Sequence, residues 1–163
     1  MQEQTYKKLA NFGKDLLNCA KLEEGLPLIA KYTTDIIGAK RCSIFIYNNK
    51  KDILWTTIAD GMEKIIVGSE DGIVGQSLMR KEIIIENDAR SNPHFLAEID
   101  EESGFRTKNL ICAPIISSSN EVIGVLELLN KPLGFTVEDE RFMKLFTTFI
   151  SGFIELAPLM KSE

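Results

Sequence analysis

The chain holds one histidine and three cysteines in 163 residues, and each shortage removes a class of chemistry. A transition-metal site needs clustered imidazoles and thiolates. His94 follows Pro93 in a polar stretch with no second histidine to join it. Cys19, Cys42 and Cys112 are far apart and lack CxxC spacing, which argues against a disulfide framework or a zinc site and reads them as small core residues. No serine or cysteine lies near His94 in a nucleophile motif, so a hydrolytic triad has no anchor. Long apolar runs are missing as well. No stretch of about eighteen apolar residues is present to span a bilayer as a helix. The opening Met-Gln-Glu-Gln-Thr-Tyr-Lys-Lys lacks the apolar segment of a secretion signal, so a cytoplasmic protein without membrane contact is expected. Positive charge is in deficit, with 19 Lys and Arg against 24 Asp and Glu and a net charge of −5. That balance argues against nucleic acid as a partner, because such affinity comes from cations on phosphates.

What remains is a chain with 44% hydrophobic and 26% charged residues, enough for one domain with a sizeable core. Leu9, Phe12, Leu16 and Cys19 or Ala20 recur at helical spacing, as do Leu26, Ile29, Ala30, Thr33, Ile36 and Ile37, so two helices open the chain. The period then changes. Cys42 to Tyr47 is β-branched and aromatic, Asn48 to Asp52 is turn-like, and Ile53–Ala59 reads as the returning strand of a hairpin. Further along come a strand candidate at Lys64–Val67, a helix at Gly72–Arg80, a strand at Glu82–Glu86 and a loop with a short helix at Asn92–Ser103. Asn109–Ile116 and Glu121–Leu129 make a second hairpin around Ser117 to Asn120. Thr136–Leu156 closes the chain as a long helix, with Phe142, Phe146, Phe149, Ile150, Phe153 and Ala157 on one stripe and Pro158 predicted to end it. The sum is an α+β layout, an antiparallel sheet of about six strands flanked by helices. Residues 1–20 form an N-terminal helix suited to a dimer contact, 21–157 the domain with its long final helix, and 158–163 a tail.

Two segments carry chemistry. Asp71-Gly72-Ile73-Val74-Gly75 opens a helix with glycines that let backbone amides approach a ligand, and free amides at a helix start favour an anion. Capping alone explains glycine there equally well, and no lysine is placed for triphosphate hydrolysis. The second segment runs from Asn130 to Glu140. Lys131 leaves a strand and Asp139 enters a helix with Thr136 as its N-cap, so a Lys131–Asp139 ion pair is expected to tie the last strand to the last helix. Asp100, Glu101 and Glu102 are adjacent acids, which in an acidic chain read first as solvated loop residues.

Taken in order, Arg41-Cys42-Ser43-Ile44-Phe45, Asp71 to Gly75, Ser103 to Thr107, Pro114-Ile115 and Val122 to Lys131 resemble a GAF domain over about residues 20–155. Asn130, Lys131, Phe135, Asp139 and Glu140 fit that family's structural signature, as in the regulatory GAF domains of cyclic-nucleotide phosphodiesterases and some bacterial adenylate cyclases. The resemblance implies a non-enzymatic small-molecule sensor that binds cAMP or cGMP, dimerises through its terminal helices and regulates an attached output domain. It also implies site roles. Ser43 and Asp60 would contact the base edge, the amides of Ile73 and Val74 would cradle the phosphate, and Asp100, Ser103, Thr107 and Glu127 would complete the wall. One departure stands out: the family's base-stacking aromatic corresponds here to Ala59, and Trp55, four residues earlier, is a poor substitute. Base stacking is worth about 1–3 kcal/mol, so its loss weakens such binding roughly tenfold or more.

Two alternatives follow from the same resemblance. One is a ligand-free dimerisation and signal-transmission module. The other is a free methionine sulfoxide reductase, which needs cysteines beside the pocket, whereas neither Gly72 to Gly75 nor Ala97 to Thr107 contains one.

Overall fold

Helical periods at the two ends of the chain and alternating ones between them build a three-layer molecule. The computed structural model describes residues 3–56 and 65–161, the side chains at 65, 102, 103 and 158–161 excepted. Two helices, α1 (Glu3–Leu17) and α2 (Leu22–Ile37), precede a hairpin of β1 (Arg41–Asn48) and β2 (Ile53–Thr56). Then come β3 (Ile65–Gly68), α3 (Gly72–Arg80), β4 (Ile84–Glu86), a 3-10 turn at Ala89–Ser91 and α4 (Ala97–Ser103). A second hairpin of β5 (Leu110–Ile116) and β6 (Val122–Leu129) leads to α5 (Val137–Lys161). The six strands form one antiparallel sheet in the order β3-β2-β1-β6-β5-β4, the α+β architecture that the periodicities predict.

Because side chains alternate along a strand and directly paired residues share a face, the register assigns every strand residue to a side. Cys42, Ile44, Leu126, Leu128, Ile111 and Ala113 face α1, α2 and α5, where Phe12, Ile29, Met143, Phe146 and Ile150 fill the larger core. Phe45, Leu54, Val67, Leu110, Cys112 and Val125 face the other way and pack with Ile73, Val74 and Leu78 of α3.

The segment from Asn130 to Glu140 ties sheet to helix as its charges suggest. Lys131 Nζ donates to Asp139 Oδ1 at 2.8 Å and Oδ2 at 2.7 Å. Asp139 Oδ2 also accepts the Thr136 N–H at 2.8 Å, while the Asp139 N–H donates to Thr136 Oγ1 at 3.3 Å, a reciprocal capping box. Asn130 sits at φ +61°, and its Oδ1 accepts the Lys108 N–H while its Nδ2 donates to the Arg106 carbonyl. Phe135 is buried in the larger core and Glu140 is exposed.

Two expectations about α5 need correction. α5 continues to Lys161 rather than ending at Pro158, so residues 158–161 belong to the helix and not to a tail. A proline removes its own amide from the ladder but leaves the other bonds of the turn to carry the chain onward. Phe149 lies 53% exposed at the edge of the buried stripe of Phe142, Phe146, Ile150 and Ala157, one side of its ring against Phe12 and the rest on the outside of α5. Trp55 pairs with Ile46, which packs on the α1–α2–α5 side, so the only tryptophan points away from the α3 side of the sheet.

Candidate functional site

On the α3 side, β1, β6 and β5 bring Ser43, Glu127 and Cys112 into one row, since Ser43 pairs with Glu127 and Glu127 with Cys112. The first turn of α3 and the segment from Phe95 through α4 partly cover this row and leave a cavity of about 60 Å³ that stays open to solvent. At the space one water needs, that is room for roughly four or five non-hydrogen atoms. Its walls are mostly apolar, with Phe45, Leu110 and Leu129 from the sheet and Phe95, Leu96 and Ile99 from the cover.

Five of the eight predicted ligand positions line the cavity: Ile73, Val74, Asp100, Thr107 and Glu127. Ser43 is buried on the same face, beside Glu127, without lining it. Ser103 is the last residue of α4. Asp60, like Ala59, lies outside the described residues.

Asp100 is already engaged by protein. One oxygen accepts the Thr107 N–H at 2.6 Å and Arg90 Nη2 at 2.7 Å, and the other accepts Thr107 Oγ1 at 2.8 Å. Thr107 spends both its donors on that carboxylate and is itself buried. The trio holds α4 and the following loop against the sheet, and Arg90 supplies the countercharge. Arg106, the cation nearer in sequence, is exposed.

Glu127 is in a different situation. The residue is half-buried and lines the cavity, with its carboxyl group set deep among protein atoms. Burial, with the nearby Asp100 charge adding to it, raises the pKa from 4.5 to about 7 despite a hydrogen bond from Cys112 that favours ionisation. Cys112 Sγ lies 3.5 Å from Glu127 Oε2, and burial together with that carboxylate pushes the thiol well above its ordinary value. It is a protonated donor at neutral pH, not a nucleophile. Cys42 faces the opposite side of the sheet and Cys19 follows α1, so no two cysteines share the cavity.

The helix start is built for close approach. Gly72 has φ +71°, and a Cβ there would meet Leu96 at 3.1 Å, so the amide end of α3 and the cover are in contact. Asp71 precedes the helix with its Oδ2 accepting the Gly68 N–H at 3.2 Å, so its side chain turns back to the strand end and caps no amide of α3.

Several participants escaped the sequence reading: Arg90, Cys112 as a neighbour of Glu127, and the apolar cover of Phe95, Leu96 and Ile99. Strand parity was the available signal for Cys112, because any residue paired with Glu127 shares its face. Asn87 and Asn109 were missed too. Asn87 exchanges two bonds with the Phe135 backbone and Asn109 two with that of Lys131, bracing the turn into α5.

A three-layer sheet with a pocket under a short helix and a Lys131–Asp139 tie defines a GAF-type module, and residues 21–154 match the family model of the GAF domain. The chain belongs to that family. It is 30% identical, over 92% of its length, to the dual 3',5'-cyclic-AMP and -GMP phosphodiesterase 11A of Takifugu rubripes, and it spans only 18% of that relative. Among solved structures, the GAF domain of a phosphoenolpyruvate-protein phosphotransferase from Coxiella burnetii superposes with a TM-score of 0.86 at 21% identity, covering 98% of this chain and 97% of that one. Free methionine-R-sulfoxide reductase from Neisseria meningitidis, solved with its substrate, gives 0.79 at 14% identity, covering 98% and 95%. At such identities these two likenesses establish the fold alone, a fold shared by a domain of a phosphotransferase and by a reductase.

Proposed function

We propose that this domain senses a small molecule in the cavity between the sheet, α3 and α4, and passes its occupancy through α1 and α5 to a second copy and an output domain. The observation that carries the reading is convergence: four separate segments bring Ile73, Val74, Asp100, Thr107 and Glu127 around one partly covered space. Apolar walls supply affinity and a few polar groups supply orientation, the usual division of labour in a ligand site.

A cyclic nucleotide is the second reading, favoured by the 30% identity to a dual cyclic-AMP and -GMP phosphodiesterase. Its phosphate would meet the amides of Ile73 and Val74, with Ser43, Asp60, Ser103 and Glu127 around the rest. It is larger than the covered part of the cavity, so it would extend through the open side or displace the cover of Phe95, Leu96 and Ile99. Thermal unfolding tests both readings. A bound ligand stabilises by mass action, by about 2.7 kcal/mol at one hundred times its dissociation constant. Millimolar cAMP or cGMP that leaves the melting temperature unmoved removes the cyclic-nucleotide reading, and failure of every small probe defined below removes the sensing role.

A further inference from the structure

The charge lining the cavity is one-sided. Asp71, Asp100 and Glu127 face it, and among the described residues no Lys, Arg or His does. Asp100 is satisfied by Thr107 and by Arg90, the nearest cation, and Asp71 is bonded to the Gly68 amide. Glu127 differs. Its Oε2 accepts only the weak Cys112 thiol bond, and among the described residues Oε1 accepts from no protein donor. Among the described residues no fully buried side-chain oxygen or nitrogen lacks a partner, so Oε1 keeps some accessible surface, and the cavity that Glu127 lines provides it.

We propose, resting on the sensing role above, that this cavity accepts a small ligand with a protonated amine on a short apolar body, its ammonium donating to Glu127 Oε1. An enclosed carboxylate beside apolar walls gains a charge-assisted bond from such a donor, while a phosphate or carboxylate ligand would be placed among three acids. The first amides of α3 carry no side-chain cap, but the Asp71 carboxylate, turned back to the Gly68 N–H, lines the same cavity and keeps it acidic. The size of the space sets the scale of the ligand, an amine of about five non-hydrogen atoms.

Ammonium binding requires Glu127 to be ionised. The groups facing it are Cys112 from β5, which stays a thiol, and Asp100 from α4, whose charge Arg90 balances; Asp71 at the head of α3 lines the same cavity. Glu127 is therefore the group whose charge changes near neutrality.

The test compares isobutylamine, isobutanol and isobutyrate, near-isosteric cationic, neutral and anionic probes, with cAMP and cGMP alongside. Melting temperature is read at matched ionic strength. The amine is expected to raise it in a saturable way, more than the alcohol does, with isobutyrate inert. With a Glu127 titration midpoint near 7, apparent amine affinity falls about tenfold from pH 8 to pH 6. In Glu127→Gln the amine's advantage over the alcohol disappears. Should that variant not fold, carboxyl carbon NMR of the wild-type protein replaces it, and the amine must lower the Glu127 midpoint. Stabilisation by isobutyrate or a cyclic nucleotide but not by the amine overturns the proposal and leaves the sensing role standing. Equal effects of amine and alcohol at every pH also overturn it. No shift with any probe overturns both.

Discussion

Glu127 sits where three forces disagree. Burial favours its neutral form, the Asp100 charge pushes the same way, and the Cys112 bond pulls toward the carboxylate; burial wins, and the folded pKa stands near 7 against an ordinary 4.5. The folded protein then binds this proton more tightly than the unfolded chain does. The associated stability is complete below pH 4.5 and is lost as pH rises through 7. Glu127→Gln keeps the shape and abolishes the titration, so wild type should lose on the order of 2–3 kcal/mol relative to the variant between pH 4.5 and 8. Urea unfolding of both proteins across that range checks it. Parallel stability curves would mean that the carboxyl group is solvated. Unpaired ionisable groups that resist charging are more informative about a site than saturated ones, and Asp100 makes the contrast, since its bonds to Arg90 and Thr107 have a structural outlet.

At the level of elements, the join between β6 and α5 concentrates several devices in a few residues. Asp139 accepts both bonds from Lys131 and caps the helix through Thr136, with side-chain exposures of 24% for Lys131 and 9% for Asp139. Asp139→Ala leaves the Lys131 ammonium largely enclosed without its countercharge and the Thr136 N–H without its acceptor, while the Asp139 N–H keeps its bond to Thr136 Oγ1, so the expected cost is about 2–4 kcal/mol. Chemical denaturation measures it, and a loss below about 1 kcal/mol would place the pair among ordinary solvated ones. This tie was legible in the sequence because it is local: cation, turn, N-cap and acid lie within nine residues. α3 was legible for the same reason, its apolar spacing and flanking turns giving Gly72–Arg80 to the residue. What could not be read depends on register and on distant packing. The face of Trp55 follows only once it is paired with Ile46, and the choice of Arg90 over Arg106 for Asp100 depends on how a loop folds back. Cavity size is least legible of all, because it is set by Phe95, Leu96 and Ile99 together with the sheet rather than by any motif.

For the whole molecule the issue is what the two terminal helices do with apolar surface they do not bury. Leu17 is 87% exposed, and Leu145, Phe149 and Leu156 are 57%, 53% and 55% exposed. Leu17, Phe149 and Leu156 line an apolar groove between α1 and α5. A second copy laid along it would remove that surface from water and join the two cavities mechanically, as the proposed relay requires. Deleting α1 is a poor test of this, because Phe12 is fully buried against Phe146 in the larger core, so the truncation would unfold the domain as well as strip its surface. Leu17→Glu and Leu156→Glu are better placed, since both side chains line the groove and are more than half exposed, whereas the Phe149 ring also packs on Phe12. Sedimentation velocity of wild type is expected to give a dimer, and of the double variant a monomer with unchanged far-ultraviolet circular dichroism. A wild-type monomer at high micromolar concentration would detach the helices from self-association, and signalling would then have to run through an output domain contacting the same groove.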